Sequence, residues 1–182
     1  MKLILTSDLH QRIEKWQDLV DAVKAELPRF VLIAGDLLPK LTNFNGQKKF
    51  FGQMRRYFQA MQQAGPVTAL TYFGNDDAHI LEPLLDELAS EGLCVNLNGR
   101  IHREEGLVFC GMNKVRDYPF GYKHWCARDG DHIACPQQFC GQGLTMNERG
   151  SFVPLKNLVD YLFAKPSIGE ELHRLVEQLR PG

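Results

Sequence analysis

The 182-residue sequence lacks any long apolar run, because about 18 consecutive apolar residues would be needed to cross a membrane and none occur. The apolar stretch after Met1 ends by Thr6, which is too short for the core of a signal peptide. These two observations predict a cytoplasmic protein with no membrane partner.

The sequence also has almost no net charge, since 21 Lys and Arg residues oppose 22 Asp and Glu residues for a formal net charge of −1. That balance excludes a global attraction to nucleic acid or to an anionic membrane. Cysteine is scarce, and its count of five is odd, which favours reduced thiols over a disulfide framework in a protein without an export signal. Cys94 and Cys110 lie in apolar runs and are predicted to belong to the core.

Hydrophobic residues make up 44% of the sequence and charged residues 24%, a composition typical of a globular protein with a real core. Because domains commonly contain roughly 100 to 200 residues, we predict a single domain over 1–182. Short apolar runs alternate with segments of helical periodicity: strands are predicted at 2–6, 30–34 and 67–73, and helices at 12–27, 50–61 and 80–91. Such alternation indicates an α/β fold with a largely parallel sheet and flanking helices.

Beyond residue 92 the pattern changes to short strands at 93–97, 100–103 and 107–112, with tight turns at Asn98-Gly99 and Glu105-Gly106, so the sheet is expected to become mixed. Residues 113–150 show no sustained periodicity and are predicted to form an irregular insertion or lid. A last helix is predicted to begin at a capping box of Ser167 and Glu170. Its inward face would consist of Ile168, Leu172, Leu175, Val176 and Leu179.

The predicted insertion contains residues that could bind zinc, namely His124, Cys126, His132, Cys135 and Cys140. The cysteines lack a close Cys-x-x-Cys pair, so buried or idle thiols are the preferred interpretation. The aromatic residues of the insertion either line a substrate pocket or pack as a lid on the sheet.

Polar side chains follow each of the first three predicted strands. Asp8 and His10 follow the first strand, Asp36 the second, and Asn75 the third, where Asp76 and Asp77 come next. Because the carboxyl ends of parallel strands share one edge of the sheet, these side chains can converge. Carboxylate, imidazole and amide ligands together suit Mn²⁺, Fe²⁺ or Zn²⁺. Taken singly, Asp8 and Asn75 could instead cap the following helices, Asp36 could be a turn residue and His10 could be a surface histidine.

Asp8-x-His10, Gly35-Asp36 and Gly74-Asn75-Asp76-Asp77 resemble the first three motifs of the calcineurin-like metallophosphoesterase family. The resemblance implies a four-layer α/β/β/α sandwich and two divalent ions, with Mn²⁺ the leading candidate and Fe or Zn the alternatives. It places Asp8 and His10 on the first ion, Asp36 between both ions and Asn75 on the second.

Three departures from the family pattern modify this expectation. Pro39 stands where the second motif usually has a second aspartate, and Asp76 stands where the third motif usually has a histidine that acts as general acid. The catalytic candidates are therefore Asp76 itself and the nearby His79. The later histidine motifs of the family do not occur in the sequence, so the domain is predicted to be incomplete at its C-terminus and to hold one ion rather than two.

The expected function is metal-dependent hydrolysis of a phosphate mono- or diester through a metal-activated water. The alternative is a catalytically degenerate or truncated domain that binds a metal ion or a protein partner. An incomplete sheet would leave an exposed edge, through which copies of the chain could associate.

Overall fold

The computed structural model describes residues 1–116, 121–130 and 143–179. The chain forms two compact units, Met1–Asn98 and Gly99–Gly182. The predicted α/β fold class is confirmed, because the first unit is built on a four-stranded parallel sheet with flanking helices. Within the described ranges, no helix combines the length and apolarity needed to cross a membrane.

The strands of the first unit follow one another across the sheet in chain order. They are β1 (Leu3–Thr6), β2 (Phe30–Ala34), β3 (Thr68–Tyr72) and β4 (Val95–Asn96). Thr6 lies opposite Ile33, and Ile33 lies opposite Thr71, so the first three strands end at the same level. The loops that carry the candidate ligands therefore leave the sheet side by side.

Three helices cover the sheet: α1 (Ile13–Glu26), α2 (Phe44–Ala64) and α3 (Glu82–Ser90). Trp16 of α1 is fully buried and stacks on Tyr57 of α2, with 5.2 Å between the ring centroids. Helix α2 begins earlier than predicted, because the Asn43 side chain accepts a hydrogen bond from the Gly46 N–H and caps it.

The edge strand β1 keeps Leu3 and Leu5 exposed, at 44% and 65%. Association of copies through this edge stays a prediction.

The described part of the second unit contains two antiparallel hairpins and two helices. These elements are β5 (Ile101–Glu104), β6 (Leu107–Cys110), β7 (Leu144–Met146), β8 (Phe152–Pro154), α4 (Leu158–Phe163) and α5 (Ile168–Leu179). The predicted turn at Glu105-Gly106 is confirmed, since both residues have positive φ, at 49° and 78°. The predicted strands at 100–103 and 107–112 thus form a two-stranded sheet of their own rather than extending the parallel one.

The capping box at the start of α5 is confirmed, because the Ser167 N–H donates to Glu170 Oε2 at 2.6 Å and the Glu170 N–H donates to Ser167 Oγ at 3.1 Å. The predicted inward face of this helix is partly wrong. Leu175 is buried, whereas Leu172 and Val176 are 48% and 43% exposed. Cys110 is also exposed, so its assignment to the core is wrong, while Cys94 is buried as predicted.

Parts of the predicted insertion at 113–150 lie outside the described residues, including His132, Cys135 and Cys140. Among the described residues of this segment, Cys126 is buried. The insertion as a lid and the single-domain organisation stay predictions.

Lys165 is a half-buried lysine of the second unit with an unusual environment. Its ammonium group lies 3.6 Å from the Tyr161 ring centroid and donates to the His124 carbonyl at 3.2 Å. Burial, reinforced by the positive charge of Lys114, lowers the pKa of Lys165 from 10.5 to about 8. Because the unfolded chain would bind more protons between these values, the lysine makes folding stability rise as the pH increases from about 8 to 10.5.

We predict that Lys165 titrates at about pH 8. The measurement is the ¹³Cε chemical shift in protein labelled at lysine, with Lys165→Arg to assign the signal. A Lys165 signal that titrates near the ordinary lysine value of 10.5 would contradict the described packing.

Candidate metal centre

Asp8, His10 and Asp36 converge at the carboxyl edge of the parallel sheet. Each offers a ligand atom, and these atoms all lie within 4.8 Å of one another. Asp8 is exposed, while His10 and Asp36 are half-buried, so the group remains open to solvent on one side. Within the described ranges, no second group of His, Cys, Asp or Glu side chains has this spacing. The structure thus brings together three of the four predicted ligands.

The backbone of all three residues is in the left-handed region, with φ of 55° at Asp8, 49° at His10 and 52° at Asp36. This conformation is uncommon for residues other than glycine, although Asp, Asn and His adopt it more readily than most. Two backbone hydrogen bonds hold the first loop against the second: the His10 N–H donates to the Asp36 carbonyl at 2.8 Å, and the Asp8 N–H donates to the Gly35 carbonyl at 3.3 Å. Such strained backbone persists only where neighbouring structure enforces it.

The His10 ring has a defined orientation. Its Nδ1 lies 3.3 Å from the carbonyl oxygen of Leu38. A carbonyl can only accept a hydrogen bond, so Nδ1 carries a proton, and in the neutral ring the lone pair is then on Nε2. Metal-binding histidines usually have this arrangement, in which the second ring nitrogen is fixed by a backbone carbonyl. The Trp16 indole N–H donates to the His10 carbonyl at 2.9 Å and holds the backbone of the same residue.

The second and third loops touch at two glycines. A methyl group on Gly35 would lie 2.9 Å from the Gly74 Cα, which is closer than a real side chain tolerates. A methyl group on Gly74 would overlap the Asp36 carboxylate. Gly35 also has a φ of 78°, which favours glycine. The two glycines are therefore required so that the Asp36 loop and the Asn75 loop can meet.

Asp36 lies between the two loops. Its Oδ1 accepts the Asp76 N–H at 3.0 Å. Burial raises the pKa of Asp36, the Asp76 N–H and the nearby His10 oppose the rise, and the charges of Asp76 and Asp8 add to it. A cation bound beside Asp36 would favour the ionised form and offset this cost.

Asp77 is a structural residue whose role the sequence did not reveal. It is fully buried, and its carboxylate accepts three backbone N–H groups, from Leu37 at 3.1 Å, Leu38 at 2.8 Å and Gly74 at 2.8 Å. Burial raises the pKa of Asp77 to about 7, even though the three N–H groups act in the opposite direction. Asp77 thereby joins the Asp36 loop to the Asn75 loop from below the ligand cluster.

Asn75, Asp76 and His79 follow β3. Asn75 and Asp76 are half-buried in the loop that contacts Asp36 through the Asp76 N–H. His79 begins a 3₁₀ turn, His79–Leu81, and is not a member of the ligand cluster. Asn75 as a ligand, and Asp76 and His79 as catalytic groups, stay predictions.

Gln47 is a second residue that the sequence did not reveal. It is fully buried on the first turns of α2, upstream of the predicted helix, and it contacts both the Asp36 loop and the Asn75 loop. Its position could have been found from spacing, because Gln47 precedes Phe50 by three residues and Met54 by seven and so shares their buried face.

We predict that Asp77→Asn lowers the free energy of unfolding by about 2 kcal/mol, because the introduced NH₂ group faces a backbone N–H that loses its acceptor. Urea unfolding measures the change. Asp21→Asn is the control: this exposed aspartate on α1 contacts only surface side chains, and its replacement should cost less than about 0.5 kcal/mol. Equal stabilities for the two variants would contradict the buried role of Asp77.

The sequence model of the calcineurin-like phosphoesterase family matches residues 1–170. The chain therefore belongs to this family, whose members are metal-dependent phosphoesterases. The match extends well beyond the three motifs that carry the resemblance in the sequence.

Two solved structures are similar to part of the chain. One is the crystal structure of the protein TT1561 of Thermus thermophilus, with 15% identity and a TM-score of 0.47, covering 63% of this chain and 50% of that one. Another crystal structure has 13% identity and a TM-score of 0.44, covering 60% of this chain and 51% of that one. The chain thus spans about half the length of these structures. No curated protein matches it.

Proposed function

We propose that the protein hydrolyses a phosphate mono- or diester at the edge of its parallel sheet, with Asp8, His10 and Asp36 as ligands of one divalent cation. The observation that carries this proposal is the convergence of these three ligand atoms within 4.8 Å. A carboxylate pair with an imidazole is a donor set suited to Mn²⁺, Fe²⁺ or Zn²⁺, and Mn²⁺ is our leading candidate. Asn75 extends the site toward a second ion.

The residues fit a bound cation on structural grounds. The ring of His10 is fixed with its lone pair on Nε2, and the half-buried Asp36 carboxylate has like charges nearby that a cation would balance. When bound, a divalent cation supplies a Lewis acid that neutralises phosphate charge and acidifies water. The protein's own contribution is a set of ligands that backbone hydrogen bonds hold in place before binding.

The position from which the family protonates the leaving group differs in this site. An expelled alkoxide needs a proton, and Asp76 stands at the position where the family usually has histidine. A carboxylate beside a cation stays ionised and donates no proton. We therefore propose that the substrate has a leaving group that departs without a proton, such as an aryl oxide.

A second candidate function is supported by the same residues. Within the described ranges a single group has metal-ligand spacing, and the position of the family's general acid is occupied by Asp76. Both features suit a domain that binds one metal ion, or a protein partner, without turnover. Only the first candidate hydrolyses a phosphate ester, whereas both the enzyme and the metal-binding module bind a metal ion.

We predict that the purified protein binds about one equivalent of Mn²⁺ tightly and that Asp36→Asn weakens binding the most, by more than about 100-fold, because a lost ligand costs more than a lost supporting contact. Asparagine tolerates the left-handed backbone at position 36, so the variant removes charge with little change in geometry. Calorimetric titration measures the affinity, and exposed Asp18→Asn on α1 is the control. Wild-type binding no tighter than that of an Asp8→Ala/Asp36→Ala variant would remove the metal site.

We predict that Asp76→His improves hydrolysis of an alkyl phosphate relative to p-nitrophenyl phosphate by at least about 10-fold, since general acid catalysis contributes roughly 100-fold or more when the group is well placed. The comparison uses kcat/KM for both substrates with excess Mn²⁺, and Asp18→His is the control. An unchanged ratio would show that position 76 does not face the leaving group. Absence of turnover of both substrates by the wild type would favour the non-enzymatic candidate.

A further inference from the structure

We propose that Gln47 is a positioning residue for the metal centre, whose amide ties the loop that carries Asp36 to the loop that carries Asn75 and Asp76. The inference deepens the proposed function, on which the role of the metal ligands rests. It draws on a side chain that lies outside all three sequence motifs, on the first turns of α2.

The Gln47 side chain is fully buried, and both ends of its amide make hydrogen bonds. Its Nε2 donates to the Pro39 carbonyl at 2.6 Å and to the Asp76 carbonyl at 2.6 Å, which uses both amide hydrogens. Its Oε1 accepts the Ala78 N–H at 2.9 Å. One side chain thus connects three backbone groups of two different loops.

These contacts lie next to the groups that hold the ligands. Asp76, whose carbonyl binds Gln47, uses its N–H to bind the Asp36 carboxylate. Pro39 follows Leu38, whose carbonyl lies 3.3 Å from His10 Nδ1. Movement of either loop away from Gln47 would displace a group that orients a ligand.

A neutral amide suits this position. The neighbouring loops carry Asp36, Asp76 and Asp77, so an acidic side chain at position 47 would add repulsion. A lysine or arginine there would compete with the metal ion for the same negative field. Glutamine donates and accepts hydrogen bonds without carrying a charge. It can therefore join the loops without reducing the negative potential that attracts a cation.

The contact at Pro39 also bears on the departure from the family's second motif. At this position a proline replaces the aspartate that the motif usually has, and a proline offers only its carbonyl as a hydrogen-bonding group. Gln47 binds that carbonyl. The hydrogen bond from Gln47 on α2 thus holds the end of a loop that lacks the usual carboxylate.

The test compares Gln47→Met, which keeps the length of the side chain but loses all three hydrogen bonds, with Gln62→Met. Gln62 lies on the same helix and donates one hydrogen bond to the Gly92 carbonyl at 2.6 Å, on an exposed surface. Gln47→Asn is a milder variant, because it keeps a neutral amide on a side chain that is one methylene shorter and cannot reach all three backbone groups at once; it is used if Gln47→Met does not fold.

Two measurements follow on folded, metal-free protein. Hydrogen exchange at the Asp76 N–H should become at least about 10-fold faster relative to the Phe58 N–H in the middle of α2, and calorimetric titration with Mn²⁺ should show an affinity lower by roughly 10- to 100-fold. Gln62→Met should change neither. The milder Gln47→Asn should show a smaller change of the same kind.

A Gln47 variant that is less stable but keeps wild-type protection at Asp76 and wild-type Mn²⁺ affinity would overturn the proposal, since Gln47 would then serve packing alone. If the wild type binds no Mn²⁺, the proposed function fails, and the exchange of the Asp76 N–H still decides whether Gln47 fixes the loops.

Discussion

The close approach of Gly35 and Gly74 is the constraint on which the metal centre depends. The loops after β2 and β3 must come so near that a Cβ at either glycine would overlap the opposite loop. At this separation the Asp36 carboxylate reaches the Asp76 N–H, and the Asp77 carboxylate reaches the N–H groups of Leu37 and Leu38. The contacts that join the Asp36 loop to the Asn75 loop depend on this one approach.

Carboxylates that lie close together repel one another, and backbone N–H groups offset part of this repulsion by donating hydrogen bonds to them. Asp77 accepts three of them, and Asp36 accepts one. Peptide dipoles and the Gln47 amide stabilise the loops. Preorganisation by neutral groups leaves the negative potential of the cluster intact, which favours binding of a cation over internal ion pairing.

The alternation of strands and helices, and the placement of Asp8, His10 and Asp36 at strand ends, could be predicted because apolar periodicity and chain order determine both. Gln47 and Asp77 could not be assigned a role, because most of their partners are backbone groups 29 to 40 residues away and leave no local pattern. The buried face of α5 was harder to predict, because the neighbouring residues cover only part of its apolar stripe. Leu172 and Val176 belong to that stripe and remain exposed. Periodicity identifies an apolar stripe, whereas only the packed neighbours decide which part of it is buried.

Strand β1 forms the edge of the parallel sheet and pairs only with β2 among the described strands. It leads directly into Asp8 and His10, so transient detachment of this strand would remove two of the three ligands at once. If the proposed cation binds there, strand detachment and cation release would be thermodynamically linked. When the free cation concentration exceeds its dissociation constant, each further tenfold increase adds about 1.4 kcal/mol to the free energy of detaching β1. The cation would then stabilise the pairing of the edge strand β1 in addition to its proposed part in the reaction.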